Sequence, residues 1–303
     1  MGTDPASTIR TTRQLATALL TLALAGCGAP EPAATPPGGQ ASPAAAATVP
    51  DLGIHIFDCG RIRMASIVEF GLADSDTPVR ELFVPCYLVR HPDGDLLWDA
   101  GLPPTMAGGE WIVDDTGAEH FIEAPVSQQL DVVGLTPEDV ELIGISHFHY
   151  DHSGDANAFA GAELLVQRRE HAAAFGESPG ASFFFPELYA SLADGPMRIL
   201  DGDHDVFGDG RVRILSAPGH TPGHQMLLVE LEETGPVLLS GDLWHFEASR
   251  RLRSVPTFNV DADQTRAAMT RIEALLEETG ATLWLQHSLE QHMDLALAPA
   301  IHR

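Results

Sequence analysis

Six consecutive residues, His147-Phe148-His149-Tyr150-Asp151-His152, bring three imidazoles and a carboxylate together in a very short stretch of chain. The apolar run Leu142-Ile143-Gly144-Ile145 precedes them. A buried strand therefore carries the chain to a turn that offers several metal-ligand groups at once. Imidazole suits zinc, iron, cobalt or manganese, and an added carboxylate suits a hydrolytic metal. His147 and His149 alternate, so in extended chain they point the same way and can grip one ion. Asp151 and His152 are adjacent, point differently, and are better placed to hold a second ion. A solvated His-rich loop is the plain alternative, but ligand-type residues are denser here than ordinary usage gives.

One cluster cannot complete two sites, and later strand ends supply the rest. The run 212–217 leads into Pro218-Gly219-His220-Thr221-Pro222-Gly223-His224, 237–239 into Ser240-Gly241-Asp242, and 283–285 into Gln286-His287. Each is an apolar strand ending in a turn with a ligand-type residue near its tip. Gathered on one edge, they divide into two sets. His147, His149 and His220 hold a first metal, Asp151, His152 and His287 hold a second, and Asp242 bridges them.

The elements that must position these residues read as strands at 52–58, 61–70, 82–90 and 94–98, with a hairpin signal at His91-Pro92-Asp93-Gly94. A Gly/Pro-rich loop follows over 101–123, a length that is usually functional or disordered. A helix is predicted at 124–133, and Thr136-Pro137 reads as a helix start. A strand at 163–167 and a helix to 175 come next, then strands at 197–200, 211–216, 225–231 and 236–240. An amphipathic helix over 261–278 carries Met269, Ile272, Leu275 and Leu276 on one stripe, and Gly280 ends it. A strand at 283–285 and a helix at 289–297 close the chain. Two groups of strands, each followed by helices, predict an α+β fold of two face-to-face sheets with helices outside.

Bulk properties narrow the partners. The 303 residues carry a net charge of -26, and all 17 basic residues are Arg. Such a chain is repelled by nucleic acid and anionic surfaces, which excludes a nuclease unless a basic groove forms locally. A solvated acidic shell accounts for the charge without reference to substrate.

Residues 1–26 read as a targeting segment: Arg10 and Arg13 precede the apolar stretch 15–24, which is too short to span a bilayer. It ends in Leu24-Ala25-Gly26-Cys27, which resembles the lipobox of bacterial lipoproteins. That implies export to the periplasm or cell surface and a membrane anchor only through lipid on Cys27. A plain secretory signal cleaved near Ala25 is the other reading. Residues 27–50 read as a Pro/Ala/Gly-rich flexible tether, and 51–303 as one folded domain. Cys59 and Cys86 lie in strand-like runs and are either a disulfide or two buried thiols, which geometry must decide.

The HxHxDH, PGHTPGH and SGD segments and the late His287 resemble the metallo-β-lactamase superfamily in order and spacing over 50–303. The resemblance implies an αββα sandwich with a binuclear site at one edge. Leu135-Thr136-Pro137-Glu138-Asp139-Val140 and the segment 220–225 make the chain most similar to the N-acyl homoserine lactonase group. It implies two divalent metal ions, zinc first, with iron, cobalt or manganese also compatible. It also implies a small lactone or ester substrate, opened by a hydroxide shared between the metals. Flavodiiron oxidases carry Glu where His149 stands, and the superfamily's β-lactamases lack the bridging carboxylate that Asp242 supplies. His224 is read as a loop support, and Asp99 falls where the family has a carboxylate behind the ligands. The family's lactonase Tyr, three residues after the bridging Asp, is His245 here. The resemblance gives Asp151 the proton-transfer role, while His245, where the family has Tyr, either makes the same oxyanion contact or marks a different substrate.

Competing readings keep the site and change the pocket: a thioesterase of glyoxalase II type, a phosphodiesterase or an arylesterase. A lipid-anchored metal-binding protein without turnover is the alternative of another class. The entrance is expected from 101–123 and Phe183-Phe184-Phe185, although a core helix explains the aromatic run as well. His55, His91, His120, His171, His204, His292 and His302 lack such context and are expected at the surface.

Overall fold

The computed structural model describes residues 51–303. The expected targeting segment at 1–26 and the expected tether at 27–50, with Cys27, lie outside the described residues. Among the described residues no helix is long and apolar enough to cross a membrane.

Strands β1 (Gly53–Arg63), β2 (Glu81–His91), β3 (Gly94–Trp98), β4 (Ile112–Val113), β5 (Glu119–Phe121), β6 (Leu142–Gly144), β7 (Glu163–Gln167) and β8 (Met197–Leu200) form one sheet. Their order is β4-β5-β1-β2-β3-β6-β7-β8. The second sheet contains β9 (His204–Asp205), β10 (Val212–Ser216), β11 (Gln225–Leu231), β12 (Gly235–Leu239) and β13 (Thr282–Trp284), ordered β13-β12-β11-β10-β9.

Both faces of the first sheet are buried, which explains why β2 is apolar from Leu82 to Val89 instead of alternating. Phe83, Tyr87 and Val89 of β2 point between the sheets, against Ile214, Leu227, Val237 and Trp284. Val84, Cys86 and Leu88 point to the other face, where α1 (Val126–Gln129) contributes Val126. The far face of the second sheet is covered by α5 (Ala262–Thr279), through Ala268, Met269, Ile272 and Leu276. Asp261 caps α5 by accepting from the Asp263 and Gln264 amides, and Gly280 ends it in the left-handed region. The result is the four-layer αββα sandwich. The remaining helices are α2 (Tyr150–Ser153), α3 (Arg168–Ala174), α4 (Glu247–Leu252) and α6 (Leu289–Met293).

Several local expectations need correction. The strand expected at 61–70 is the end of β1, which is continuous through a register shift between Asp58 and Arg61. Gly60 makes that bulge possible at φ 135°. Beyond Arg63 the chain leaves the sheet, and Val68–Phe70 form a 3-10 turn. The stretch 101–123 is not all loop: β4 and β5 pair with each other, and β5 extends the sheet along β1. The helix expected at 124–133 is α1 followed by a 3-10 turn, Leu130–Val133. The one at 289–297 stops at Met293.

Cys59 and Cys86 are disulfide-bonded, with their Cα atoms 5.9 Å apart on paired strands. This joins β1 to β2 directly beneath Gly101, where a Cβ would lie 2.3 Å from that of Cys59.

Four histidines expected at the surface are buried: His55, His91, His120 and His292. His171, His204 and His302 are half-buried. Each buried ring found a distant partner that local sequence does not show. His55 Nδ1 is 2.8 Å from the Ala300 carbonyl, and His91 Nε2 is 3.0 Å from Asp209. His120 Nε2 meets the Tyr150 hydroxyl at 2.9 Å, and His292 Nε2 meets that of Tyr87 at 2.9 Å. Burial pushes His292 down to about 4 from 6.5. A ring so depressed stabilises the fold above pH 6.5, and that contribution is lost as the pH falls through about 4. His292→Gln should therefore remove about 3 kcal/mol of acid sensitivity. Urea midpoints compared between wild type and variant from pH 7 to 4 check this; parallel curves would refute it.

Candidate binuclear metal centre

Strand direction explains why distant residues meet. β10 and β11 are antiparallel, so the 217–224 turn joining them lies on one edge of the second sheet. β12 is antiparallel to β11 and ends on that edge, and β13, parallel to β12, ends there too. In the first sheet, β3 and β6 are parallel and deliver Asp99 and the 147–152 cluster from neighbouring ends. Hydrogen bonds lock the two edges together. Gln225 donates its backbone N–H to the Ser146 carbonyl at 2.9 Å and its amide to Ile145 and Leu165 carbonyls. Gln286 donates to Asp99 at 3.0 Å.

All seven expected ligands converge. His147, His149, His220 and Asp242 form one group, and Asp151, His152 and His287 form the other. In the first, His147 Nε2, His149 Nδ1 and His220 Nε2 stand 2.9–3.1 Å from one another. Nitrogens about 2.0–2.1 Å from a tetrahedral ion would be separated by about 3.3 Å. The carboxylate of Asp242 divides between the groups. Its Oδ2 faces His220 Nε2 at 3.3 Å and His147 Nε2 at 3.6 Å. Its Oδ1 faces His287 Nε2 at 2.9 Å and His152 Nε2 at 3.2 Å. Asp151 Oδ2 lies 3.6 Å from His152 Nε2 and 3.7 Å from His287 Nε2.

The opposite nitrogen of each ring decides what these short distances mean. His152 Nδ1 donates to Asp99 at 2.9 Å and His287 Nδ1 to the Phe83 carbonyl at 2.8 Å. His220 Nδ1 donates to Asn259 Oδ1 at 2.8 Å, and His149 Nε2 to the Ser182 carbonyl at 3.2 Å. His147 Nδ1 meets the Ser146 hydroxyl at 3.1 Å. A neutral imidazole has one N–H, so the inward nitrogens present lone pairs. Lone pairs facing one another at 3 Å repel unless a cation sits among them. None of the buried His152 Nε2, His287 Nε2 and Asp242 Oδ1 finds a well-directed hydrogen bond. The donor set fits two divalent ions, with outer partners fixing each ring.

Protonation follows the same division. Burial holds His147 and His149 well below the usual imidazole range, so they remain neutral ligands. Burial also pulls on His152 and His287, but Asp242 and Asp151 outweigh it and raise both. Burial would push the Asp242 carboxyl up. The imidazoles of His245, His152, His287 and His147 overcome this and hold it well below its usual range. Without metal, protons on His152 and His287 balance Asp242, and metal binding would displace them.

The profile of the metallo-beta-lactamase superfamily matches residues 79–280. An N-acyl homoserine lactonase from Bacillus sp is 31% identical over 232 residues, 74% of this chain and 89% of that protein. The chain belongs to the metallo-beta-lactamase superfamily. The lactonase AttM of Azorhizobium caulinodans is 29% identical over 239 residues, 73% of this chain and 88% of that protein. An N-acyl homoserine lactone hydrolase, solved with N-hexanoyl-L-homoserine at its catalytic metal centre, superposes with a TM-score of 0.71 at 25% identity. That match covers 82% of this chain and 98% of the other.

Within this superfamily member, residues behind the ligands act as the sequence suggests. Asp99 is fully buried in the left-handed region at φ 61°, unusual for a side chain other than Gly and tolerated where surrounding contacts fix it. Its carboxylate accepts from the Ser146 amide at 2.6 Å, from the Ser146 hydroxyl at 3.0 Å, from His152 and from Gln286. His224 supports the turn: its Nδ1 donates to Ala217 at 3.0 Å and its Nε2 accepts from the Asp242 amide at 2.9 Å. Burial pushes it down to about 3, as a neutral acceptor requires. Gly241, at φ 48°, is required there because a Cβ would fall 2.5 Å from His224 Nε2.

His245 Nε2 lies 2.9 Å from Asp242 Oδ2. An ionised carboxylate only accepts, so this nitrogen carries the ring proton. The ring is held edge-on by Phe70 at 4.8 Å and stacks on His287 at 5.7 Å. The Phe183-Phe184-Phe185 run is neither a core helix nor a single wall. Phe184 is buried beside His149, while Phe183 and Phe185 are exposed. Sequence reasoning missed Asn259, Ser146, Ser182 and Gln286, small polar residues whose only signal is a partner distant in the chain.

Proposed function

We propose that this protein is a binuclear metal-dependent hydrolase that opens the ring ester of N-acyl homoserine lactones. The observation that carries this reading is the divided carboxylate of Asp242 between two sets of inward-facing lone pairs. Similarity to lactonases supplies the substrate class. His147, His149 and His220 would hold one ion, Asp151, His152 and His287 the other, and Asp242 both. Imidazole and carboxylate donors suit zinc. When bound, two such ions supply a water of pKa ~7 and polarise a carbonyl oxygen. The chain does the rest. Asp151, at the rim of the centre, accepts the proton of the attacking water and returns it to the leaving alkoxide. His245 Nε2, whose proton points to Asp242 Oδ2 in this structure, would turn that proton to the carbonyl oxygen where charge develops once Asp242 is engaged by metal. Phe70 and Phe258 pack around His245 and limit water on that side.

The test is metal content of purified protein, followed by proton release from lactones of varied acyl length, thioesters, aryl esters and phosphodiesters. The expected result is about two zinc ions per chain and preferred turnover of acyl homoserine lactones. Two metals with no lactone turnover would sink the substrate assignment and leave the superfamily membership standing.

A further inference from the structure

Glu170 belongs to α3, outside every ligand motif, and is 1% exposed. Its carboxylate accepts three hydrogen bonds. Oε1 takes the backbone N–H of Phe148 at 3.2 Å. Oε2 takes the Thr221 hydroxyl at 2.9 Å and the Gly223 N–H at 2.7 Å. Phe148 lies between His147 and His149, and Thr221 follows His220. One buried carboxylate therefore ties together the two loops that bring the first three imidazoles into register. Among the described residues no Arg pairs with it; burial pushes its carboxyl up to about 7, and the three donors, with His220 nearby, oppose that rise. The approach is close enough that a Cβ on Gly223 would lie 2.5 Å from the Glu170 nitrogen.

We infer that Glu170 is the positioning residue of the first metal site, fixing His147, His149 and His220 relative to one another through their loops. The inference rests on the binuclear reading above. Its carboxylate shape is essential, because all three partners donate and only two oxygens can satisfy them together. A Gln side chain would turn an NH2 group toward at least one N–H or O–H donor. Loss of such an outer partner weakens metal binding by about 10–100-fold.

The experiment is zinc competition against a chromophoric chelator with the full protein, together with cobalt(II) absorption spectra. For Glu170→Gln, one of two zinc affinities should fall about 10–100-fold while the other holds. The remaining cobalt spectrum should match that of His149→Ala. Thr221→Ser, which keeps the hydroxyl, should bind like wild type, and Thr221→Val should show an intermediate loss at the same site. Equal weakening of both sites, or both affinities within about threefold of wild type, would overturn the inference. Should Glu170→Gln fail to fold, identical affinities in Thr221→Val and Thr221→Ser would overturn it instead. A wild-type protein without two zinc sites would overturn the binuclear reading itself, and this inference with it.

Discussion

Asp151→Asn should leave two metals in place and cut kcat/KM for lactone hydrolysis by about 10²–10⁴-fold, the range for loss of a positioned acid–base group. The amide oxygen can still face the second site, but an amide neither accepts nor returns a proton. The geometry supports a mobile-proton role over a purely structural one. Asp151 Oδ2 stands 3.6–3.7 Å from two imidazole nitrogens, farther than Asp242 Oδ1 at 2.9–3.2 Å. Asp242 is thus committed to the ligands, whereas Asp151 is slack and sits at the edge of the centre. Metal analysis and steady-state kinetics on one preparation check this. Undiminished hydrolysis with two metals retained would refute the role, and absence of turnover in wild type would favour a binding protein.

Removing metal should abolish hydrolysis and also lower the melting temperature markedly. Five imidazoles and two carboxylates converge on one edge, and most of them are fully buried. Without cations their lone pairs face one another, or protons must enter at His152 and His287. At free zinc about 100-fold above Kd, each site stabilises the fold by about 2.7 kcal/mol. For a domain of this size that is a melting shift of about 10–20 °C for two sites. Calorimetry with and without a chelator, then with zinc restored, reads it directly. An unchanged melting temperature would show that the ligands are not engaged by metal in the folded protein.

Much of the αββα frame was legible because strand patterns depend on local composition. β2, β3, β6, β7 and β11 are apolar runs bounded by turn residues, and α5 carries a cap, a stripe and a terminal Gly. The departures lie where tertiary contacts override local preference. β4 and β5 are short, and pairing with the end of β1 makes them strands. The surface assignment of His55, His91, His120 and His292 failed because each is satisfied by a hydrogen-bond partner more than twenty residues away.

The sequence by itself pointed to the seven candidate ligands that the fold brings together. Metal-binding side chains must sit at turns after buried strands, and both features are local. It also pointed to the pairing of His147 with His149 through their alternation in extended chain, whereas the need for Gly beside Asp242 came from the packed His224 ring. Tertiary structure decided which nitrogen of each ring faces inward, since that depends on Asp99, Asn259, Ser182 and the Phe83 carbonyl on other elements. It also joined Cys59 to Cys86, set His245 against the bridging carboxylate, and placed Glu170 between two ligand loops. These are contacts between residues far apart in the chain. Their geometry is fixed only when two sheet edges close on each other, so no spacing or composition along the chain encodes it visibly.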